Sequence, residues 1–223
     1  MNILDLRGKY SGNRCFILGN GPSLNVTPLE RLASEYTFAV NSIAQIFPKT
    51  SWRPWAYVVS FNINRGPETY TTFQKAIDEA KIAFIGPRMR VEPQGEHVYR
   101  VPIKMYTTPD KAVRLAFWSW APDVTICQFG SVVYMVLQIV CYLGFNPIYL
   151  LGIDHTHPTE HFCDDYWAGP QPEPDKIDDH KRRAEDAFKI ARRATEKRGI
   201  HVYDATIGGG LQVFPKVRLE DIL

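Results

Sequence analysis

A doubly wound α/β architecture, with a mostly parallel sheet and helices on both faces, is what this sequence predicts. Short apolar runs rich in β-branched and aromatic residues alternate with helical stretches. Runs such as "PIYLLGID" are apolar without alternation, as befits strands buried on both faces of a parallel sheet. A long polar, proline-rich tract interrupts this rhythm once, at residues 155–176, and is read as a lid loop.

The expected strands, in order, are Arg14–Leu18, Thr37–Asn41, Ala56–Ser60, Ile82–Ile85, Val98–Pro102, Val124–Gln128, Ile148–Ile153 and His201–Tyr203. Between the first two, "TPLE" at Thr27–Glu30 offers a cap residue, a proline at the first helical position and a glutamate three residues after the cap. This pattern predicts a helix start. "PETYTTFQKAIDEAK" predicts a second helix. A third begins near Ser131 and is apolar on nearly every side, which makes it a central buried helix. The fourth runs from about Ile177 to Lys197. Its apolar residues Ile177, Ala184, Ala187, Phe188, Ala191 and Ala194 share one face, and Gly199 is its stop signal.

The chain has 223 residues, the size of one domain with a lid, so a single unit over 1–223 is expected. An apolar content of 45% and a charged content of 22% suffice for a full core. Net charge is +2 without a long basic run, which argues against nucleic acid as a partner. The four cysteines are widely spaced and form no C-x-x-C pair, so they are read as reduced thiols. No apolar signal core opens the sequence, and Val132–Leu143 is too short to span a bilayer. A cytoplasmic setting without a membrane span is expected, with self-association left open.

Ligands of doubly wound sheets bind beyond the carboxyl ends of the strands. That rule singles out the residues following each strand. After the first come Gly19, Asn20, Gly21, Pro22 and Ser23. Glycines allow close backbone approach, and N–H groups near a helix start hold phosphate. Yet the spacing is neither G-x-G-x-x-G nor a P-loop, and Pro22 removes one donor, so a plain tight turn competes. Asn41 follows the second strand. Gly130 and Ser131 open the apolar helix, where capping alone would also explain the serine.

The densest polar cluster comprises Asp154, His155, Thr156, His157, His161, Asp164 and Asp165. Histidines suit general-base work, and no H-E-x-x-H or comparable metal spacing occurs; no metal site is assigned. Asp154 ends a buried strand, where an acid also serves to cap loop N–H groups. Asp204 and Gly208-Gly209-Gly210 follow the last strand, as a ligand wall or a turn. Among the tryptophans only Trp167 lies in the polar tract, and the others are expected in the core.

Taken together, "ILGNGPSL", "VNS" at Val40–Ser42 and "GSVVYMVLQIVCYLGFNPIYLLGID" at Gly130–Asp154 resemble the 6-hydroxymethylpterin diphosphokinase MptE-like family. The same blocks are similar to bacterial sialyltransferases that decorate lipo-oligosaccharide. The tail "HFCDDYW … IHVYDATIGGGLQVFPKV" looks like MptE-like proteins found among surface-polysaccharide genes. The likeness fades between about residues 63 and 120.

This resemblance implies a Rossmann-like transferase that binds a nucleotide through Asn20, Gly21, Ser23, Asn41 and Ser131. It departs at two places. Where the sialyltransferases carry an aromatic and then a tyrosine serving the leaving phosphate, His155 and Thr156 stand here. Their catalytic histidine lies four residues beyond a His-aromatic pair. Here that pair is His161-Phe162, and the position is Asp165. The base is then Asp165, His161 or His157.

The implied activity is nucleotide-sugar-dependent glycosyl transfer in cell-surface glycan synthesis, with a nucleotide-activated donor, a glycan acceptor and no required cofactor. Two alternatives stand beside it. One is pyrophosphoryl transfer from ATP to a pterin alcohol, which needs Mg²⁺ on acids such as Asp154, Asp164 or Asp165. The other is a non-catalytic nucleotide or sugar binder.

Overall fold

The computed structural model describes residues 2–60, 67–87, 95–106, 117–156, 161–163 and 174–223. Nine strands and three α-helices are formed among them. The strands are β1 (Cys15–Leu18), β2 (Thr37–Val40), β3 (Ala56–Val59), β4 (Ile82–Ile85), β5 (Val98–Arg100), β6 (Ile103–Met105), β7 (Ile126–Gln128), β8 (Ile148–Leu151) and β9 (Val202–Asp204). The helices are α1 (Pro67–Glu79), α2 (Val132–Leu143) and α3 (Pro174–Glu196).

Seven strands form one sheet in the order β5-β4-β3-β2-β1-β8-β9. Every pairing in it is parallel, with Phe16 opposite Thr37 on one side of β1 and Tyr149 on the other. The chain winds outward from β1 through β5, then returns to place β8 on β1's free edge. The strand order therefore reverses between β1 and β8, the position where open α/β sheets leave a crevice.

The period-two alternation of each strand serves both faces. Ile17, Phe38, Val40, Val58 and Leu150 face a core closed by α2 and α3. Phe16, Leu18, Ala39, Tyr57, Val59 and Leu151 face the opposite core, closed by α1 and short 3₁₀ turns. Helix α2 is buried along almost its whole length, as its all-round apolar sequence demands. The Ser131 hydroxyl caps it, accepting the Val133 N–H at 3.2 Å, and Gly144 ends it with φ +95°.

The two rims of the sheet differ. Before β2, β3 and β8, the rings of Tyr36, Trp55 and Phe145 gather with Tyr10 and Phe38, at centroid distances of 5.0 to 5.5 Å for most pairs. This aromatic knot closes the amino-terminal rim. The carboxyl-terminal rim carries the polar loops.

Four expectations need correction. Thr27 does not cap an α-helix: its hydroxyl turns back to the Ser23 carbonyl at 2.8 Å, so only 3₁₀ turns form at Pro22–Val26 and Leu29–Leu32. The run at Val98–Pro102 stops at Arg100, and an unforeseen strand, β6, follows. Pro102 lacks an N–H for the first ladder but its carbonyl accepts the Ile126 N–H, which starts the separate β6-β7 pairing. The last helix begins at Pro174, ahead of Ile177, because proline is tolerated at a first helical position. The tract assigned to a lid therefore already turns helical at its end. Among the described residues, no helix is long and apolar enough to cross a membrane. All four cysteines are free, and Cys15, Cys127 and Cys141 are buried.

Leu137 lies at the centre of α2, fully buried against the sheet. Replacing it with alanine is expected to cost about 2–5 kcal/mol of stability through lost burial and an unfilled cavity. Urea unfolding monitored by circular dichroism measures this, and a loss under 1 kcal/mol would contradict the packing described.

Candidate active site at the β1–β8 crossover

The loops after β1 and β8 are locked together by backbone and side chain. Gly19 N–H donates to Leu151 O at 2.8 Å and Gly21 N–H to Gly152 O at 2.9 Å, so the β1–β8 ladder continues past the strand ends. Gly152 has φ +65°, which turns the following residues over the rim. Asp154 then reaches back to Ser23. Its Oδ1 accepts the Ser23 N–H at 3.0 Å and its Oδ2 the Ser23 Oγ–H at 2.8 Å. A Cβ at Gly21 would overlap the Asp154 carboxylate, so glycine is demanded there by steric exclusion.

Other members of the expected site join from neighbouring strands. Asn20, buried at 7% exposure, donates from Nδ2 to Val40 O at 3.0 Å, which ties the β1 loop to the end of β2. Asn41 comes next, with φ +48°, a left-handed conformation that asparagine tolerates better than most residues. Tyr57 donates its hydroxyl to Asn41 O at 2.7 Å and holds the turn from below. Farther along, Gln128 at the end of β7 donates to Ser60 Oγ at 3.0 Å, just beyond β3. Gly130 has φ +66°, and a Cβ there would overlap the Arg183 backbone in α3. The start of α2 at Ser131 is thereby seated against α3.

His161 is also drawn in. Its Nδ1 lies 3.2 Å from Asn20 O, and the Phe162 N–H donates to the same oxygen at 3.1 Å. Asn25 donates to Phe162 O at 3.0 Å, and Cys163 Sγ donates to Gln45 at 3.2 Å. Phe162, 2% exposed, is packed into the α1-side core. The tract beyond β8 thus returns to the body directly over the glycine loop. His157, Asp164, Asp165 and Trp167 lie outside the described residues.

Sequence reasoning gave His155 no role of its own. It has φ +55°, uncommon for a non-glycine residue, and its side chain is 11% exposed. Its Nε2 lies 3.9 Å from Glu185 Oε2 on α3. Burial lowers its pKa below 6.5; nearby Lys181 and His180 lower it further, while Glu185 opposes this. The local signals were its membership of the polar cluster and its place just after the strand and Asp154.

The loop after β9 buttresses the crossover. Asp204 is fully buried, accepting the Thr206 N–H at 2.9 Å and the Lys216 Nζ at 2.6 Å. Thr206 Oγ1 accepts the Ile153 N–H at 3.2 Å, and Gly210 donates to Asp154 O at 2.7 Å. Gly208-Gly209-Gly210 therefore packs against the β8 loop as a wall.

Burial raises the Asp154 pKa above its ordinary 3.8; the Ser23 hydrogen bonds oppose this, and the charge of Asp204 adds to it. Both Asp154 oxygens are committed to Ser23. Among the described residues, no group of three or more His, Cys, Asp or Glu side chains comes together to hold a metal. Clefts bordered by Arg192, Thr195 and Tyr203, and by Tyr70, Gln74 and Lys75, flank helices and contain no member of this constellation.

The fold and the crossover define a Rossmann-like, doubly wound α/β protein. Among solved structures it is similar to the MAf glycosyltransferase from Magnetospirillum magneticum AMB-1, with 14% identity over 97% of this chain and a TM-score of 0.57. The chain spans 37% of that protein's length. The sialyltransferase CstII from Campylobacter jejuni, in complex with the substrate analogue CMP-3FNeuAc, aligns over 92% of this chain and 86% of its own, at 16% identity and a TM-score of 0.49. At such identities the likeness is one of fold. No protein-family model and no curated protein sequence matches the chain. The MptE-like resemblance therefore stands on its motifs.

A carboxyl group whose pKa is raised on folding contributes stability that is present below its unfolded value and lost as pH rises through its folded value. Asp154→Asn removes that dependence. The stability of the unaltered chain relative to Asp154→Asn is therefore expected to fall between pH 3.8 and neutrality. Thermal melts of both proteins across that range measure it, and a gap moving the other way would refute the assignment. Gly21→Ala is expected to destabilise by about 1–3 kcal/mol, since it displaces a buried hydrogen-bonded carboxylate.

Proposed function

We propose that this chain is a nucleotide-sugar-dependent glycosyltransferase, sialyltransferase-like in its chemistry and acting in cell-surface glycan synthesis. The observation that carries the reading is convergence. Gly19, Asn20, Gly21 and Ser23 meet Asp154 at the strand-order reversal, with Asn41 beside them and His161 seated on Asn20. This is where doubly wound sheets hold nucleotides. MptE-like membership is part of the same proposal and rests on the quoted motifs.

In this reading the donor nucleotide lies along the β1 loop, with Asn41 contacting its base or ribose. Gly130 and Ser131 face the phosphates from the start of α2, where free N–H groups and the helix dipole favour negative charge. The acceptor hydroxyl enters from the side of residues 155–176. His161, His157 and Asp165 are the proton acceptors inferred from the sequence. Asp154 acts from behind, holding Ser23 and the glycine loop in place. Charge appears on the departing phosphate, and fixed donors lower the barrier by meeting it without reorganisation. Support for the transferase class comes from the shared fold with MAf, and the substrate is inferred from the site alone.

Thermal-shift titration with CMP, UDP, GDP and ATP, each with and without Mg²⁺, tests the proposal. Stabilisation by CMP or UDP without metal is expected, about 2.7 kcal/mol at a hundredfold excess over Kd. ATP stabilisation strictly dependent on Mg²⁺ would replace this reading with pyrophosphoryl transfer. Asn41→Gly keeps the left-handed backbone and removes the amide. It is expected to weaken nucleotide binding about tenfold, or 1.4 kcal/mol, without lowering Tm.

A further inference from the structure

We propose that His155 and Glu185 form a proton-accepting dyad for the transfer reaction, with Glu185 holding the imidazole through Nε2 and Nδ1 taking the proton of the acceptor hydroxyl. The inference rests on the glycosyltransferase reading and replaces its sequence-inferred proton acceptors, His161, His157 and Asp165, with a pair in the crossover itself.

Three features of the structure converge on this pair. The first is placement. His155 directly follows Asp154, so it is fixed to the same loop that clasps Ser23 and Gly21. Glu185 lies two residues beyond Arg183, whose backbone Gly130 touches. The pair therefore bridges the β8 loop to α3 beside the start of α2, where the phosphates are assigned.

The second is the backbone. A φ of +55° at a non-glycine residue is costly and persists only where the surroundings enforce it. Here the Gly210 N–H grips the Asp154 carbonyl at 2.7 Å, immediately before the strained residue. Such a backbone fixes the direction in which the His155 side chain leaves the loop.

The third is the ring's surroundings. Nε2 is enclosed and, among the described residues, has no hydrogen-bond partner, although Glu185 Oε2 stands 3.9 Å away. The other carboxylate oxygen is tied to Lys189 Nζ at 2.6 Å, which orients the acid. Glu185 is 41% exposed, and the dyad requires it to approach Nε2–H more closely than the present 3.9 Å. With the proton on Nε2, the lone pair of the neutral imidazole sits on Nδ1, the nitrogen left for a substrate. This is the arrangement of a base oriented by a carboxylate.

The step balances without a further reactant. The acceptor oxygen bonds to the anomeric carbon of the donor. The bond from that carbon to the phosphate oxygen breaks, and its electron pair leaves on the phosphate. The acceptor proton passes to His155 Nδ1, and Glu185 stabilises the resulting imidazolium.

The test compares the unaltered chain with His155→Asn, His155→Gly and Glu185→Gln, measuring nucleotide release from CMP-sialic acid, or from a UDP-hexose where UDP is the nucleotide that stabilises the chain. Asparagine and glycine both accept a positive φ, so the fold is retained, and Glu185 is exposed enough to be replaced safely. His155→Asn and His155→Gly are expected to lower kcat by about 100-fold or more, with nucleotide Kd changed less than twofold. Glu185→Gln is expected to lower kcat about tenfold. Added imidazole is expected to restore turnover to His155→Gly, which a purely structural role would not allow. Near-normal kcat in both His155 variants would overturn the dyad while leaving the transferase reading intact. So would loss of nucleotide affinity in step with kcat and without imidazole rescue. A chain that binds none of the four nucleotides overturns the transferase reading and the dyad with it.

Discussion

The clasp between Asp154 and Ser23 is the interaction on which the architecture of the rim depends. A parallel sheet that reverses its strand order at β1 and β8 leaves two loops diverging from adjacent strands. Without a tie they would splay, and the crevice between them would have no defined shape. Asp154 supplies the tie with one carboxylate accepting two hydrogen bonds from a single residue. Its burial penalises the charge, and the two charge-assisted bonds offset part of that penalty. Because a carboxylate is pressed against Gly21, no larger residue fits, and the loop's composition follows from the clasp rather than from a ligand alone.

The same principle extends outward in layers. Asp204 and Lys216 hold the Thr206–Gly210 turn, which in turn satisfies Ile153 N–H and Asp154 O. Phe162 anchors the polar tract by burying a ring, donating its N–H to Asn20 O and accepting the Asn25 side-chain amide at its carbonyl. Buried loop backbone must find partners, and here several of the bonds that satisfy it join two different loops. The rim is a network of mutual supports, with left-handed residues at Asn41, Gly152 and His155 marking where the chain bends most sharply.

Much of this was legible in the sequence because strands and helices write their periods into it. The core residues of β1, β2, β3, β4 and β8 form unbroken apolar runs, and α2 announces itself by having no polar face. The rule that ligand loops follow parallel strands then pointed to Gly19, Asn41, Ser131 and Asp154, of which Gly19 and Asp154 lie in the β1 and β8 loops that meet at the crossover. What failed were local signals overruled by competing local bonds and by tertiary pairing. Thr27 reads as a helix cap, yet its hydroxyl is drawn to Ser23 O. Pro102 splits one apparent strand into two pairings. The proximity of His155 to Glu185, thirty positions apart, had no periodic signature at all, since it depends on how α3 crosses the sheet.

The ring cluster of Tyr10, Tyr36, Trp55 and Phe145 has a consequence for divergence. It holds the starts of β2, β3 and β8 together at the amino-terminal rim, while the polar loops of the opposite rim support one another. Loop sequences can then change while the sheet between the rims persists. A shared architecture at 14% identity is what such a division of labour would leave behind.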